Sequence, residues 1–113
     1  MKKASEKEAY NHRQIELMTC KINEYKKKLI SLDRLVSSLC SLLDCLQDVK
    51  DDWANNFIAY WADLESVNAN ALDLSKSELD TSDYEIINRA ISGIEELIAA
   101  YIKENFNEED FAD

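Results

Sequence analysis

The stretch IELMTCKINEYKKKLISLDRLVSSLCSLLDCL, residues 15–46, carries the pattern that decides the fold. Within it Ile15, Met18, Ile22, Tyr25, Leu29, Leu32, Val36, Leu39, Leu43 and Leu46 recur at alternating steps of three and four. That spacing keeps one side of an α-helix apolar and is the seam of a coiled coil or bundle. Leu17, Ile30, Leu35 and Leu42 widen the stripe beyond a bare two-stranded seam, which suits a multi-helix bundle. The pattern predicts one long helix over 5–50, opened by Ser5 and Glu8 as a capping box.

Downstream, the seam is interrupted at Lys50 and resumes in phase at Trp53, Phe57, Tyr60, Leu64, Val67, Ala71 and Leu74. Asp and Asn are poor inside helices and good at their ends, so Asp51-Asp52-Trp53-Ala54-Asn55-Asn56 reads as a turn. With no Gly or Pro to force it, an unbroken helix is the alternative. A second helix follows over 54–73. Ser75, Ser77, Asp80, Thr81 and Ser82 mark a clearer break over 73–82, with Ser82 and Glu85 as a second capping box. A third helix runs over 82–105 on Ile87, Ile91, Ile94, Ile98 and Tyr101, flanked by Tyr84, Leu97 and Ile102. Gly93, the single glycine, marks close approach of a neighbouring helix. An acidic tail, 106–113, ends the chain. The fold class is all-α: one domain over 1–113, a long N-terminal helix plus two shorter ones, packed as an antiparallel hairpin or bundle with coiled-coil-like contacts.

Composition narrows the functions. The 113 residues carry 13 Lys and Arg against 23 Asp and Glu, a formal charge of −10. Direct nucleic-acid binding runs on basic groups that displace counterions, and docking on an anionic membrane needs the same sign, so neither fits. The charge is uneven: residues 1–50 sum to +3 and residues 51–113 to −13. Either both halves are simply solvated, or the basic arm lies against the acidic half, in the same chain or in another one. Cys20, Cys40 and Cys45 are odd in number and lie in apolar-periodic sequence, which favours packed, free thiols over a disulfide framework. The N-terminus is polar through Gln14 and no run approaches the roughly 18 apolar residues of a membrane span. The expectation is a cytoplasmic protein, with leaderless secretion leaving the same signature.

No catalytic constellation is present in the sequence. His12, the one histidine, has no Cys or carboxylate at zinc-ligand spacing and reads as a solvated residue. The cysteines lack a local base. Phosphate loops and nucleophile elbows are missing. The acidic neighbours Asp51-Asp52, Glu95-Glu96 and Glu108-Glu109-Asp110 do not follow a calcium-loop pattern. Expected are no enzyme activity, no cofactor and no metal.

A 45-residue helix would be about 68 Å long, and two helices of about 20 residues would cover only half of its seam. An uncovered stripe of that size is rare in monomers, so a second helical chain, identical or not, is expected on it. The candidate partner interface is therefore Ile15, Met18, Ile22, Tyr25, Leu29 and Leu32, with the aromatic group Trp53, Phe57, Tyr60 and Trp61 as its anchor.

Two features resemble the small helical proteins of type VII secretion, the Trp-x-Gly family and its relatives that escort LXG-domain toxins. Trp53-Ala54-Asn55 falls mid-chain at the expected turn, with Asn55 where the family has glycine, and Phe57 follows. The tail Phe106-Asn107-Glu108-Glu109-Asp110 matches an aromatic-x-x-x-acidic export signal. The resemblance implies a dimer with a helical toxin domain or second small partner, Trp53 and Phe57 stabilising the turn, and Phe106 and Asp110 read by a secretion ATPase. The competing expectation is an acidic inhibitor, such as an immunity protein or phage-encoded antagonist, that binds a basic nuclease or nucleic-acid-binding protein.

Overall fold

The computed structural model describes residues 6–74 and 78–105. Four helices occupy nearly all of them: α1, Glu6–Lys26; α2, Leu32–Cys45; α3, Asp51–Asp73; and α4, Thr81–Asn105. The all-α bundle read from the sequence is what forms. The single long first helix is not. It breaks at residues 27–31 and folds back on itself.

The break has a local cause. Leu29 N–H donates to the Glu24 carbonyl at 2.9 Å and Lys28 N–H to the Tyr25 carbonyl at 2.9 Å. This crossed pair is a Schellman ending, which needs its C′ residue in the left-handed region. Lys28 supplies that conformation, at φ 64°. Glycine would do so without the cost of roughly 1–2 kcal/mol that a Cβ brings. Three residues on, Ser31 caps α2, its hydroxyl accepting from Arg34 N–H at 3.1 Å. Lys26 in the last turn of α1 and Asp33 in the first turn of α2 each suit the local helix dipole. The seam's phase survives the turn. Leu29, in the turn itself, is the one member between Ile15 and Leu46 that faces solvent, at 69% exposure.

The second connection also differs from expectation. The chain leaves helix at Leu46 and re-enters at Asp51, so the turn precedes the Asp-Asn cluster instead of containing it. Asp48 takes φ 53° there. Asp51 and Asp52 occupy the first turn of α3, where carboxylates are favourable, and Asn55 and Asn56 are exposed helical residues. The third break lies where the sequence places it, but its cap sits two residues earlier than Ser82 and Glu85. Asp80 and Asp83 exchange hydrogen bonds: Asp83 N–H donates to Asp80 Oδ1 at 2.9 Å and Asp80 N–H to Asp83 Oδ2 at 3.1 Å. Asp thus fills both places of a capping box. Ser5, and with it the first proposed capping box, lies outside the described residues.

Short connections make successive helices antiparallel. Side-chain links set the ring order. Trp61 Nε1 donates to the Val36 carbonyl at 2.9 Å, joining α3 to α2. Trp53 Nε1 donates to the Leu97 carbonyl at 2.8 Å, joining α3 to α4. Asn11 reaches Tyr101, joining α1 to α4. Helices α1 and α3 do not pack directly, nor do α2 and α4, so the bundle is a four-cornered up-down-up-down ring. Its core takes Ile15, Met18 and Ile22 from α1, Leu32, Leu35, Val36 and Leu39 from α2, Phe57, Leu64 and Val67 from α3, and the five predicted residues of α4. Each fully buried large aliphatic or aromatic side chain contributes about 1.5–3 kcal/mol.

Candidate functional site

The ring answers the question raised by the uncovered seam. Ile15, Met18, Ile22 and Leu32, expected to face a second chain, lie in this chain's own core, as does Phe57. Tyr25, Trp53, Tyr60 and Trp61 are half-buried and packed on that core. Only Leu29 of the expected interface is open. The physical reason is the Lys28 turn: once the long seam folds in two, its halves cover one another and α3 and α4 close the other sides.

The aromatic group holds the bundle together. The Trp53 ring lies 5.4 Å from Phe57 and 5.6 Å from Tyr101, both tilted. Trp53 and Trp61 each bury their ring edge by donating to a helix carbonyl, which leaves neither indole N–H unpaired. Gly93 does mark a close approach. A methyl group at position 93 would overlap Cε1 and Cζ of Tyr60.

A buried polar node was invisible in the sequence. Asn11 is 3% exposed. Its Nδ2 donates to the Gln47 carbonyl at 2.7 Å and to the Tyr101 hydroxyl at 3.1 Å, while its Oδ1 accepts from Gln47 N–H at 2.9 Å. One carboxamide thereby satisfies both backbone groups of a loop residue and ties α1, the α2–α3 connection and α4 together. Asn11 sits among polar residues of the N-terminal approach, and nothing in the pattern sets it apart.

Other expectations need correction. Cys40 is half-buried, but Cys20 and Cys45 are exposed. Cys20 stands two residues from both Met18 and Ile22, about 200° around the helix from each, so the apolar pattern puts it outside. Interaction with the neighbouring Cys45 side chain raises the Tyr10 pKa, with burial adding and Arg13 opposing. His12 is half-buried, with Nδ1 3.0 Å from Glu16 Oε1. Among the described residues, no group of three or more His, Cys, Asp or Glu side chains is placed to hold a metal ion. No helix there is long and apolar enough to cross a membrane. Phe106 and Asp110, the candidate export signal, lie outside the described residues.

Two surfaces stand out for recognition among the described residues. The first is the outer side of α3. This helix contains Asp51, Asp52, Asp63, Glu65 and Asp73 and not one Lys, Arg or His, and all five carboxylates are exposed. The basic arm does reach the acidic half, through Lys26 Nζ to Glu95 at 2.8 Å and Lys50 Nζ to Glu104 at 3.5 Å. Both contacts go to α4 and leave α3 uncompensated. Asp51 and Asp52 are explained by the helix dipole. Asp73 is not, since an acid in the last turn opposes it. Exposed Ile58 adds an apolar point to the same helix.

The second surface is a groove of about 460 Å³ where the α1–α2 turn meets the first half of α4. Tyr25, Lys28 and Ile30 line one side and Tyr84, Asn88 and Ile91 the other. Burial, and then the nearby Tyr84, raises the Tyr25 pKa above 10.0. No family model, curated protein or solved structure matches the chain.

Proposed function

We propose that this chain is a non-enzymatic helical binding module that docks a basic protein, such as a nuclease or nucleic-acid-binding protein, on the outer side of α3. The observation that carries this is a 23-residue helix with five exposed carboxylates and no cation. Among the described residues no Lys, Arg or His pairs with these carboxylates, and Asp73 opposes the helix dipole. Such a surface steers a basic partner and weakens with salt. A bundle that covers its own core does not need a partner to fold, which suits an inhibitor that waits for its target. The test is titration calorimetry with the partner recovered by affinity capture. Affinity should fall about tenfold or more between 0.05 and 0.5 M NaCl, and again in an Asp63→Lys/Glu65→Lys variant. Association indifferent to both would reject this function.

The escort of a type VII LXG-domain toxin is the second candidate. The Trp53–Phe57 pair at the start of α3 and the tail pattern support it. Its separate test is export. Phe106→Ala or Asp110→Ala should abolish secretion and leave the fold intact, and undiminished secretion would remove the tail's role.

A further inference from the structure

We infer that the groove between the α1–α2 turn and α4 is a docking site for an acidic polypeptide segment that inserts one bulky apolar side chain. At about 460 Å³ it has the size of a side-chain or small-ligand pocket. Ile30 and Ile91 form an apolar floor, and Tyr25, Tyr84 and Asn88 supply rings and polar tips. Leu29, next in the chain to the lining residues Lys28 and Ile30, is 69% exposed, and Tyr84 of the lining is 49% exposed, so apolar surface lies open at the rim.

Charge selects the occupant. Lys26, Lys27 and Lys28 are the one run of three basic residues in a chain of net charge −10. Lys26 is engaged by Glu95. Lys28 lines the groove and makes no ion pair with any described residue. Lys26 and Lys28 are the charged residues of the groove's lining and no carboxylate is among them, so this positive lip attracts such a segment. Lys28 also holds a left-handed backbone position that glycine would fill with less strain. An ammonium is kept at the groove where the fold alone favours its absence.

That conflict supplies the test. The full chain, labelled with 15N, is titrated with the peptide Ac-Glu-Glu-Phe-Glu-Glu-NH2 and followed by NMR. Saturable shifts should be confined to residues 25–30 and 84–91. The Phe→Ala peptide and a peptide with Lys in place of each Glu should bind about tenfold more weakly. In Lys28→Gly the turn is preserved and relieved, so the melting temperature should rise by roughly 3–6 °C. Affinity for the acidic peptide should fall about tenfold. Unchanged affinity in this more stable variant would overturn the inference, as would shifts scattered over the surface or no saturable shift at all.

Discussion

Asn11 shows how one side chain sets the geometry of a bundle. Its removal strands the Gln47 N–H and carbonyl and the inner contact of the Tyr101 hydroxyl. An unsatisfied buried polar group costs about 1–3 kcal/mol. Asn11→Ala is therefore expected to destabilise by about 2–3 kcal/mol in urea denaturation, and Asn11→Asp to rescue little, because it lacks the amide donor. Gly93 tests packing in the opposite sense. Gly93→Ala gains about 1 kcal/mol of helix propensity but must displace the Tyr60 ring, and overpacking costs about 1–3 kcal/mol. A net loss of up to about 2 kcal/mol is expected. In a Tyr60→Ala background the same substitution should turn neutral or stabilising. Equal effects in both backgrounds would show that the two residues do not meet. Tyr25 adds a pH signature. Its folded pKa lies above the unfolded 10.0, so its contribution is complete below pH 10 and is lost as pH rises through the folded value. The alkaline fall in unfolding midpoint above pH 10 should be shallower in Tyr25→Phe.

Among the elements, the apolar faces and the break over 73–82 were legible, the α2–α3 turn was displaced and the α1–α2 turn was missed. The α4 seam from Ile87 to Tyr101 is buried as its spacing demands. The break over 73–82 follows from its Ser, Asp and Thr, although Asp80 and Asp83 form the cap. The first helix misleads because the three-four phase passes unbroken through Lys26 to Ser31, while periodicity reports which side of a helix is apolar and not whether the chain continues straight. Signs of the break were nevertheless present: three lysines suit a helix C-terminus, and Ser31 followed by Asp33 suits an N-terminus. Without a glycine the left-handed residue was hidden in Lys28. If Ser31 is a true cap, Ser31→Ala should cost about 1 kcal/mol, whereas Ser37→Ala in the exposed middle of α2 should be nearly neutral. Comparable losses at both would argue against a helix start at Leu32. The candidate interface was misplaced for the same reason as the helix, since Ile15 to Leu32 looked uncovered only on a straight rod. The recognition surfaces depend on which exposed charges the fold leaves unpaired, and only the ring order reveals that α3 is the helix without compensation.

At the scale of the molecule, folding the long seam in two turns an apparent demand for a partner into a closed core. The side chains that would have drawn a second chain by apolar burial are spent internally. The charged features left outside are an acidic α3 and a small basic lip at the α1–α2 turn, beside single exposed apolar side chains such as Leu29 and Ile58. Exposed pairs between helices such as Lys50–Glu104 add little stability, about 0–1 kcal/mol each. Salt should therefore alter partner binding far more than it alters the unfolding midpoint. The central claim is that residues 15–46 form a hairpin within a single chain. The most direct measurement places spin labels at Arg13→Cys and Asp44→Cys, in a background with Cys20, Cys40 and Cys45 replaced by Ser, and reads their separation by electron–electron resonance in dilute solution. The hairpin predicts a separation below about 25 Å that does not change on dilution. A continuous helix over the same 31 steps would put the labels about 46 Å apart, and that distance would contradict the fold described here.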